Sequence, residues 1–322
     1  MNTIDIVKNE FENNVEKKTN YYNQRYDNVL ELIGNTPLVK INKLNLNKKV
    51  SIYAKLEGQN PGGSVKDRIA LSMIEAAEKE GELTPEKTIL EATSGNTGIG
   101  LALVGTMKGY KVILTMSAAM SEERKRMLKA FGAEIVETDP LKGTDGAIMK
   151  AREMYQENPK KYWMSNQFAN KHNPLVHYHK TADEIINQVP EINVFVAGMG
   201  TSGTLMGTAE RLKQHDPSIQ IVGAEPELGH KIQGLKNMKE AIVPEIYKEH
   251  KLDSKVVVET EAAYETARQL ATKEGLFVGM SSGAAMFAAL KTAEQMQEGT
   301  IVVLLPDRGE KYLSTVLFNP TL

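Results

Sequence analysis

Asn60-Pro61-Gly62-Gly63-Ser64-Val65-Lys66-Asp67-Arg68 stands between a β-rich run, Val50-Ser51-Ile52-Tyr53-Ala54-Lys55-Leu56, and an apolar helical run from Ile69 to Glu80. Strand, proline-glycine turn and helix in that order make one unit of an α/β fold. The turn also delivers a single lysine to the helix start. A lysine amine condenses with an aldehyde, and the unpaired N–H groups of a helix start attract anions. Taken alone, the stretch also reads as a surface turn carrying a solvated lysine, the commoner case for a lone instance. Two further glycine loops, spaced as one site would need, change that balance.

Outward from this unit the alternation continues. Strands are expected at Thr88–Glu91, Lys111–Met116, Glu134–Thr138, Val194–Ala197, Ile219–Ala224 and Thr300–Leu305, and helices at Gly98–Lys108, Ser121–Phe131 and Gly143–Gln156. Such a pattern predicts mainly parallel sheets with helices on both faces. Polar residues and proline interrupt it near Gln167–Pro174, the expected domain break. Residues 1–27 are rich in Asn, Glu, Lys and Tyr with weak periodicity, and read as an arm on the body or on a partner subunit.

Composition narrows the function classes. A chain of 322 residues has room for two cores, and a formal net charge of −2 gives no electrostatic case for nucleic acid or an anionic membrane. No apolar run approaches the roughly 20 residues that span a bilayer, and the polar start lacks the apolar segment of a secretory signal. Cysteine is absent, which excludes disulfides, thiolate-held metal or haem, and a cysteine nucleophile. The default expectation is a cytoplasmic protein.

Three glycine-rich segments fall where strands end and helices begin, the ligand side of a parallel sheet. Thr93-Ser94-Gly95-Asn96-Thr97-Gly98 offers hydroxyls and an amide suited to a carboxylate or a ring hydroxyl, beyond what an N-capped turn requires. Gly200-Thr201-Ser202-Gly203-Thr204 has the makings of a phosphate cradle, without the Gly-Lys-Ser/Thr of a Walker loop or the third glycine of a dinucleotide fingerprint at its spacing. Gly279-Met280-Ser281-Ser282-Gly283 reads by itself as a serine N-cap on a tightly packed helix.

A phosphate cradle, a nucleophilic lysine and a hydroxyl aimed at a ring describe pyridoxal 5'-phosphate together. The chain resembles the cysteine synthase (O-acetylserine sulfhydrylase) and cystathionine β-synthase family of fold-type II pyridoxal-phosphate enzymes, closer to the B-type isozyme. The resemblance rests on Gly34-Asn35-Thr36-Pro37-Leu38, Asn60–Arg68, Thr93–Gly98, Met120-Ser121-Glu122-Glu123-Arg124, Gln167-Phe168, Gly200–Thr204, Gly279–Ala285 and Pro306–Thr315, in the family's order. It implies two three-layer α/β/α domains of the tryptophan synthase β type with the cofactor between them. The expected division is a larger unit of residues 28–46 and 168–322, and a smaller one of 47–167 with a mobile lid at about 116–155.

The resemblance also implies roles. Lys66 holds the cofactor as a Schiff base and then serves as acid and base; Asn96 bonds the ring hydroxyl. Gly200, Thr201, Ser202, Gly203 and Thr204 hold the phosphate, and Ser281 faces the pyridine nitrogen. Thr93, Ser94, Thr97 and Gln167 clamp the substrate carboxylate, drawing the lid inward. The implied reaction is β-replacement on an activated serine (O-acetyl-L-serine or O-phosphoserine) with sulfide, through an α-aminoacrylate. A neutral serine at the pyridine nitrogen weakens the ring as an electron sink, which disfavours transamination. A homodimer and capture of the serine acetyltransferase C-terminus are the implied associations; no metal is.

Departures from the family pattern leave alternatives. Lys180-Thr181-Ala182-Asp183-Glu184 replaces the usual Thr-Thr-Gly-Pro-Glu, touching packing near the site. His230, Lys231 and Lys236 read either as cations for a phosphate leaving group or as solvent-facing charges balanced by Glu225, Glu227 and Glu240. The competing activities are cystathionine synthesis from serine and homocysteine, and sulfide release from cysteine. The competing class is a non-catalytic protein that binds a peptide tail in its cleft, against which Lys66 argues.

Overall fold

The computed structural model describes residues 25–319 except Ser94, Ser121 and Ala241, so residues 1–24 of the expected arm lie outside it. Among the described residues, ten strands form two sheets. They are β1 (Leu38–Lys40), β2 (Val50–Leu56), β3 (Thr88–Ala92), β4 (Val112–Ser117), β5 (Glu134–Thr138), β6 (Tyr162–Met164), β7 (Val194–Gly198), β8 (Gln220–Pro226), β9 (Ser254–Val258) and β10 (Gly299–Leu305). The larger sheet runs β1-β2-β10-β7-β8-β9 and the smaller β5-β4-β3-β6. Every pair is parallel except β1 with β2.

Nine α-helices cover these sheets among the described residues: α1 (Lys66–Glu80), α2 (Asn96–Met107), α3 (Glu122–Ala130), α4 (Gly143–Glu157), α5 (His172–Val176), α6 (Ala182–Gln188), α7 (Gly203–His215), α8 (Thr260–Gln269) and α9 (Met280–Gln295). Alternate side chains of each strand go to opposite faces, so a continuous apolar strand feeds two cores. Val194, Val196, Ile301 and Val303 pack with the alanine-rich α8 and α9. Phe195, Ala197, Val302 and Leu304 pack instead with Ile185, Leu205 and Leu212 of α6 and α7. In the smaller sheet Ile89 and Leu114 meet α1 and α2, while Leu90 and Ala92 meet Ala147 and Ala151 of α4. This is the expected α/β class with layered, mainly parallel sheets.

One strand differs in its allegiance. Residues 47–167 were expected to form the smaller unit, yet β2 pairs with β10 in register from Gly299↔Val50 to Leu305↔Leu56, inside the larger sheet. The run reads as a strand from its own residues, but which sheet it joins is decided by a partner some 250 residues later. The chain therefore crosses from one sheet to the other at Asn60–Lys66. Ile69, Met73 and Ile74 on the far side already belong to the smaller core. Lys66 is the first helical residue after the crossing.

Candidate active site

The crossing turn is fastened from several directions. Val65 donates its N–H to Pro306 O at 2.8 Å, and Ser64 bridges Asp307 just past β10. Asp67 accepts the Gly62 N–H at 2.5 Å, and burial pushes its carboxyl up to about 7. Arg68, 2 % exposed, grips two carboxylates: Glu57 at 2.7 Å through Nε and Glu184 at 2.7 Å through Nη1. Lys55, from β2, reaches the same Glu184 at 2.7 Å. Burial alone would raise the Glu184 carboxyl, but Arg68 and Lys55 hold it down at about 2. Glu57 also accepts the Thr36 hydroxyl at 2.6 Å and the Asn60 amide at 2.9 Å. So Asn60, Asp67 and Arg68 of the motif serve to fix the backbone on which Lys66 is carried. The Glu kept in the departing Lys180–Glu184 stretch is part of this lock.

Lys66 itself is half-buried and lines two cavities that meet at its side chain. Burial pulls its ammonium down to about 8, against the attraction of Asp307. Helix α2 approaches it closely, since a Cβ at Gly100 would lie 2.9 Å from the Lys66 carbonyl oxygen.

The smaller cavity, about 60 Å³, is lined by Lys66, Asn96, Gly200, Thr201, Ser202, Thr204 and Ser281. Strand β7 ends at Gly198 and α7 begins at Gly203, so the intervening loop turns backbone N–H groups toward this space. Ser202 adopts a left-handed φ of 69°, a conformation that costs a non-glycine residue energy and is characteristic of sites that hold a ligand. Its Oγ is buried without a protein partner among the described residues. A Cβ at Gly203 would fall 1.9 Å from Asn173 Oδ1, so that position packs behind the loop and lines neither cavity. Thr204 Oγ1 lies 3.2 Å from His177 Nε2, whose Nδ1 lies 2.9 Å from Thr181 Oγ1. Burial, with Arg68 and Lys66 nearby, holds His177 well below the usual histidine range. It is a neutral support for the loop, set in a π-helical turn, His177–Thr181, that joins α5 to α6.

The larger cavity, about 390 Å³, is lined by Lys66, Thr93, Asn96, Thr97, Gln167, Gly200 and Thr201, among others. Thr97 donates its hydroxyl to Gln167 Oε1 at 2.7 Å. Asn173 ties this side to the phosphate loop, donating to Gln167 O at 2.7 Å and Thr201 Oγ1 at 3.3 Å. Behind the Thr93 loop, burial pushes the Glu91 carboxyl up to about 7 despite its bond from Ser165. Ser94 lies outside the described residues.

Every expected site residue that is described, save Gly203, thus lines one or both cavities. Asn173, His177, Asp307, Lys311 and Arg124 carry no local sequence signal of a site role; Arg124 bonds Gln233, and both line the larger cavity. Of the three debated cations, His230, Lys231 and Lys236 all border that cavity. Lys236 is half-buried with its ammonium 5.2 Å from the Phe168 ring centre, and burial lowers it, against the pull of Asp145. Lys231 stays exposed.

Residues 29–307 match the family described as pyridoxal-phosphate dependent enzyme. The chain belongs to this family. Among curated pyridoxal-phosphate enzymes it is similar to a cysteine synthase of Aquifex aeolicus, 49 % identical over 307 residues, covering 92 % of this chain and 94 % of that one. Among solved structures it resembles a cysteine synthase of Entamoeba histolytica, with a TM-score of 0.88 and 40 % identity over 92 % of each chain. A hydrogen sulfide-producing enzyme of Fusobacterium nucleatum gives a TM-score of 0.85 and 44 % identity over 90 % of this chain and 99 % of that one. The fold is therefore the fold-type II arrangement, and the cofactor is pyridoxal 5'-phosphate. The residues present fit that group: an anion cradle with an orphaned buried hydroxyl, a lysine of lowered basicity, and a serine in the first turn of α9.

Proposed function

We propose that the chain is a cysteine synthase, replacing the β-substituent of an activated L-serine with sulfide. The reading is supported most by one observation: Lys66 sits where a phosphate-sized cavity and a substrate-sized cavity meet. When bound, pyridoxal phosphate supplies an electron sink at the amino acid's Cα, so that the α-proton and a β-leaving group depart.

The chain's own groups do the rest. Lys66 would hold the cofactor covalently and, once the substrate amine frees it, would take the α-proton at Nζ. With a basicity of about 8, roughly half of such amines are neutral at that pH, where an ordinary lysine is almost wholly charged. Gly200, Thr201, Ser202 and Thr204 would hold the phosphate at the start of α7, where helix N–H groups favour an anion, with Gly203 packing the loop from behind. Asn96 would bond the ring oxygen. Ser281, which lines the smaller cavity, would meet the pyridine nitrogen as a neutral partner in place of a carboxylate, a setting that would disfavour transamination. Thr93, Ser94, Thr97 and Gln167 clamp the carboxylate, and segment 116–155 closes over the cavity to exclude water. Lys236 beside the larger cavity suits an anionic leaving group, with His230, which burial holds below the usual histidine range, as a neutral neighbour, so O-phosphoserine stands beside O-acetylserine as the donor. The family resemblance supports a homodimer and binding of the serine acetyltransferase tail in the cleft, and a cytoplasmic location is proposed beside them as the default.

The test is a visible absorption spectrum of the purified protein, with O-acetylserine, O-phosphoserine and serine added in turn, then sulfide. The proposal predicts a cofactor band that one activated serine changes and sulfide restores, with cysteine released. A band that none of them alters would overturn it, and a response only to serine with homocysteine would assign cystathionine synthesis. A second reading, sulfide release from cysteine, draws on the likeness to the Fusobacterium enzyme. Sulfide formed from cysteine faster than cysteine from the serine donors would favour it.

A further inference from the structure

Asn96 stands at the N-terminus of α2 and borders both cavities, yet both ends of its amide are already held by the C-terminal segment. Its Nδ2 donates to Asp307 Oδ2 at 2.8 Å, and its Oδ1 accepts from Lys311 Nζ at 2.7 Å. The holders are themselves fixed. Asp307 is 1 % exposed and takes the Tyr312 hydroxyl at 2.7 Å on the same oxygen. Lys311 is 6 % exposed and donates to Gly63 O at 3.2 Å, in the turn that leads to Lys66.

An amide flanked by a carboxylate on one side and an ammonium on the other has only one favourable orientation. Turned over, it would set oxygen against oxygen and N–H against N–H. A primary amide nitrogen carries two N–H groups, and Asp307 takes one. The second has no acceptor among the described residues.

We propose that Asp307 and Lys311 are positioning residues that lock the Asn96 amide with its second N–H presented to the cofactor's ring oxygen. The inference rests on the cofactor placement proposed above. Presented with a donor, that oxygen is held as an acceptor and so in its deprotonated form. With the lock broken, the amide can turn its own oxygen to the ring, which demands a protonated ring oxygen instead. The PDRGEKY stretch, Pro306–Tyr312, thereby acts on the far side of the cofactor from the residues that hold its phosphate.

The test is a double-mutant cycle on the holoenzyme, using Lys311→Met, Asp307→Asn and Asn96→Ala singly and in pairs. Two quantities are read: the dissociation constant of pyridoxal phosphate, and the ratio of the absorption bands of the two ring-oxygen protonation states. Lys311→Met should weaken binding on the order of tenfold and move the ratio toward the protonated form, with Asp307→Asn acting in the same direction more weakly. In the Asn96→Ala background neither substitution should change either quantity further. Effects that persist in full in that background would overturn the proposal, because a merely structural contribution is additive. So would an unchanged ratio in Lys311→Met beside an altered one in Asn96→Ala. A wild-type protein without any cofactor band would instead sink the placement of the cofactor itself.

Discussion

The two cavities that meet at Lys66 are built in different ways. Around the cofactor side, the supports are backbone and buried ions. Arg68 is clamped between Glu57 and Glu184, α2 presses its glycine face on the start of α1, and Gly203 leaves no room for a Cβ against Asn173. On the substrate side the described supports include hydrogen bonds between uncharged groups, such as Thr97 to Gln167 Oε1 and Asn173 to Gln167 O, beside the contact of Arg124 with Gln233. A network of buried charges resists movement because breaking one partner strands the others. A lone hydroxyl-to-amide bond is exchanged at little cost when a carboxylate arrives. On the proposed assignment of the two cavities, the cofactor half would be set before ligand binds and the substrate half would re-form around it.

Substitutions can break that contrast. The largest effect is expected from Arg68→Met, which leaves Glu57 buried without its cation and Glu184 with Lys55 alone, and should cost about 3–5 kcal/mol of stability. Urea unfolding of the holoenzyme measures it, and a loss below about 1 kcal/mol would mean that the cofactor half is not held by this network. Thr97→Val sits at the other extreme of the comparison. It should raise the KM for the serine donor about tenfold while the dissociation constant of the cofactor stays put. Loss of cofactor in that variant would merge the two halves into one.

A smaller effect sharpens the boundary between them. Glu91 has its carboxyl raised to about 7 in the folded chain, so the folded state binds that proton more tightly than the unfolded state does. Its contribution to stability is then full below an ordinary carboxyl pKa of about 4.3 and is lost as pH rises to about 7. Glu91→Gln should therefore melt about 2–4 °C higher than the parent at about pH 8, with the difference vanishing near pH 4. A gain of equal size at both pH values would show that Glu91 is ionised throughout.

The same contrast governs what could be read from the sequence. The loops Thr93–Gly98 and Gly200–Thr204 announce themselves because glycine, serine and threonine cluster within a few positions where strand gives way to helix. Lys66 is legible for the same local reason. Asp307 and Lys311 are not, since the group they hold is Asn96, 211 and 215 residues away, and an aspartate or lysine near a chain's end carries no local mark of burial. Asn173 is hidden likewise: it reads as part of a polar break, yet it joins Gln167 to Thr201. Residues 50–56 show the same limit at the level of the fold. Their strand character is local, whereas their place beside β10 is a property of the whole chain.

The most direct test of the account is to reduce the holoenzyme with borohydride and map the cofactor-bearing peptide by mass. If Lys66 joins the two cavities as described, the added mass falls on the peptide containing Lys66 and disappears in Lys66→Ala. Mass on Lys311 or Lys236, or on no lysine of a protein that nevertheless absorbs as a pyridoxal-phosphate enzyme, would contradict it.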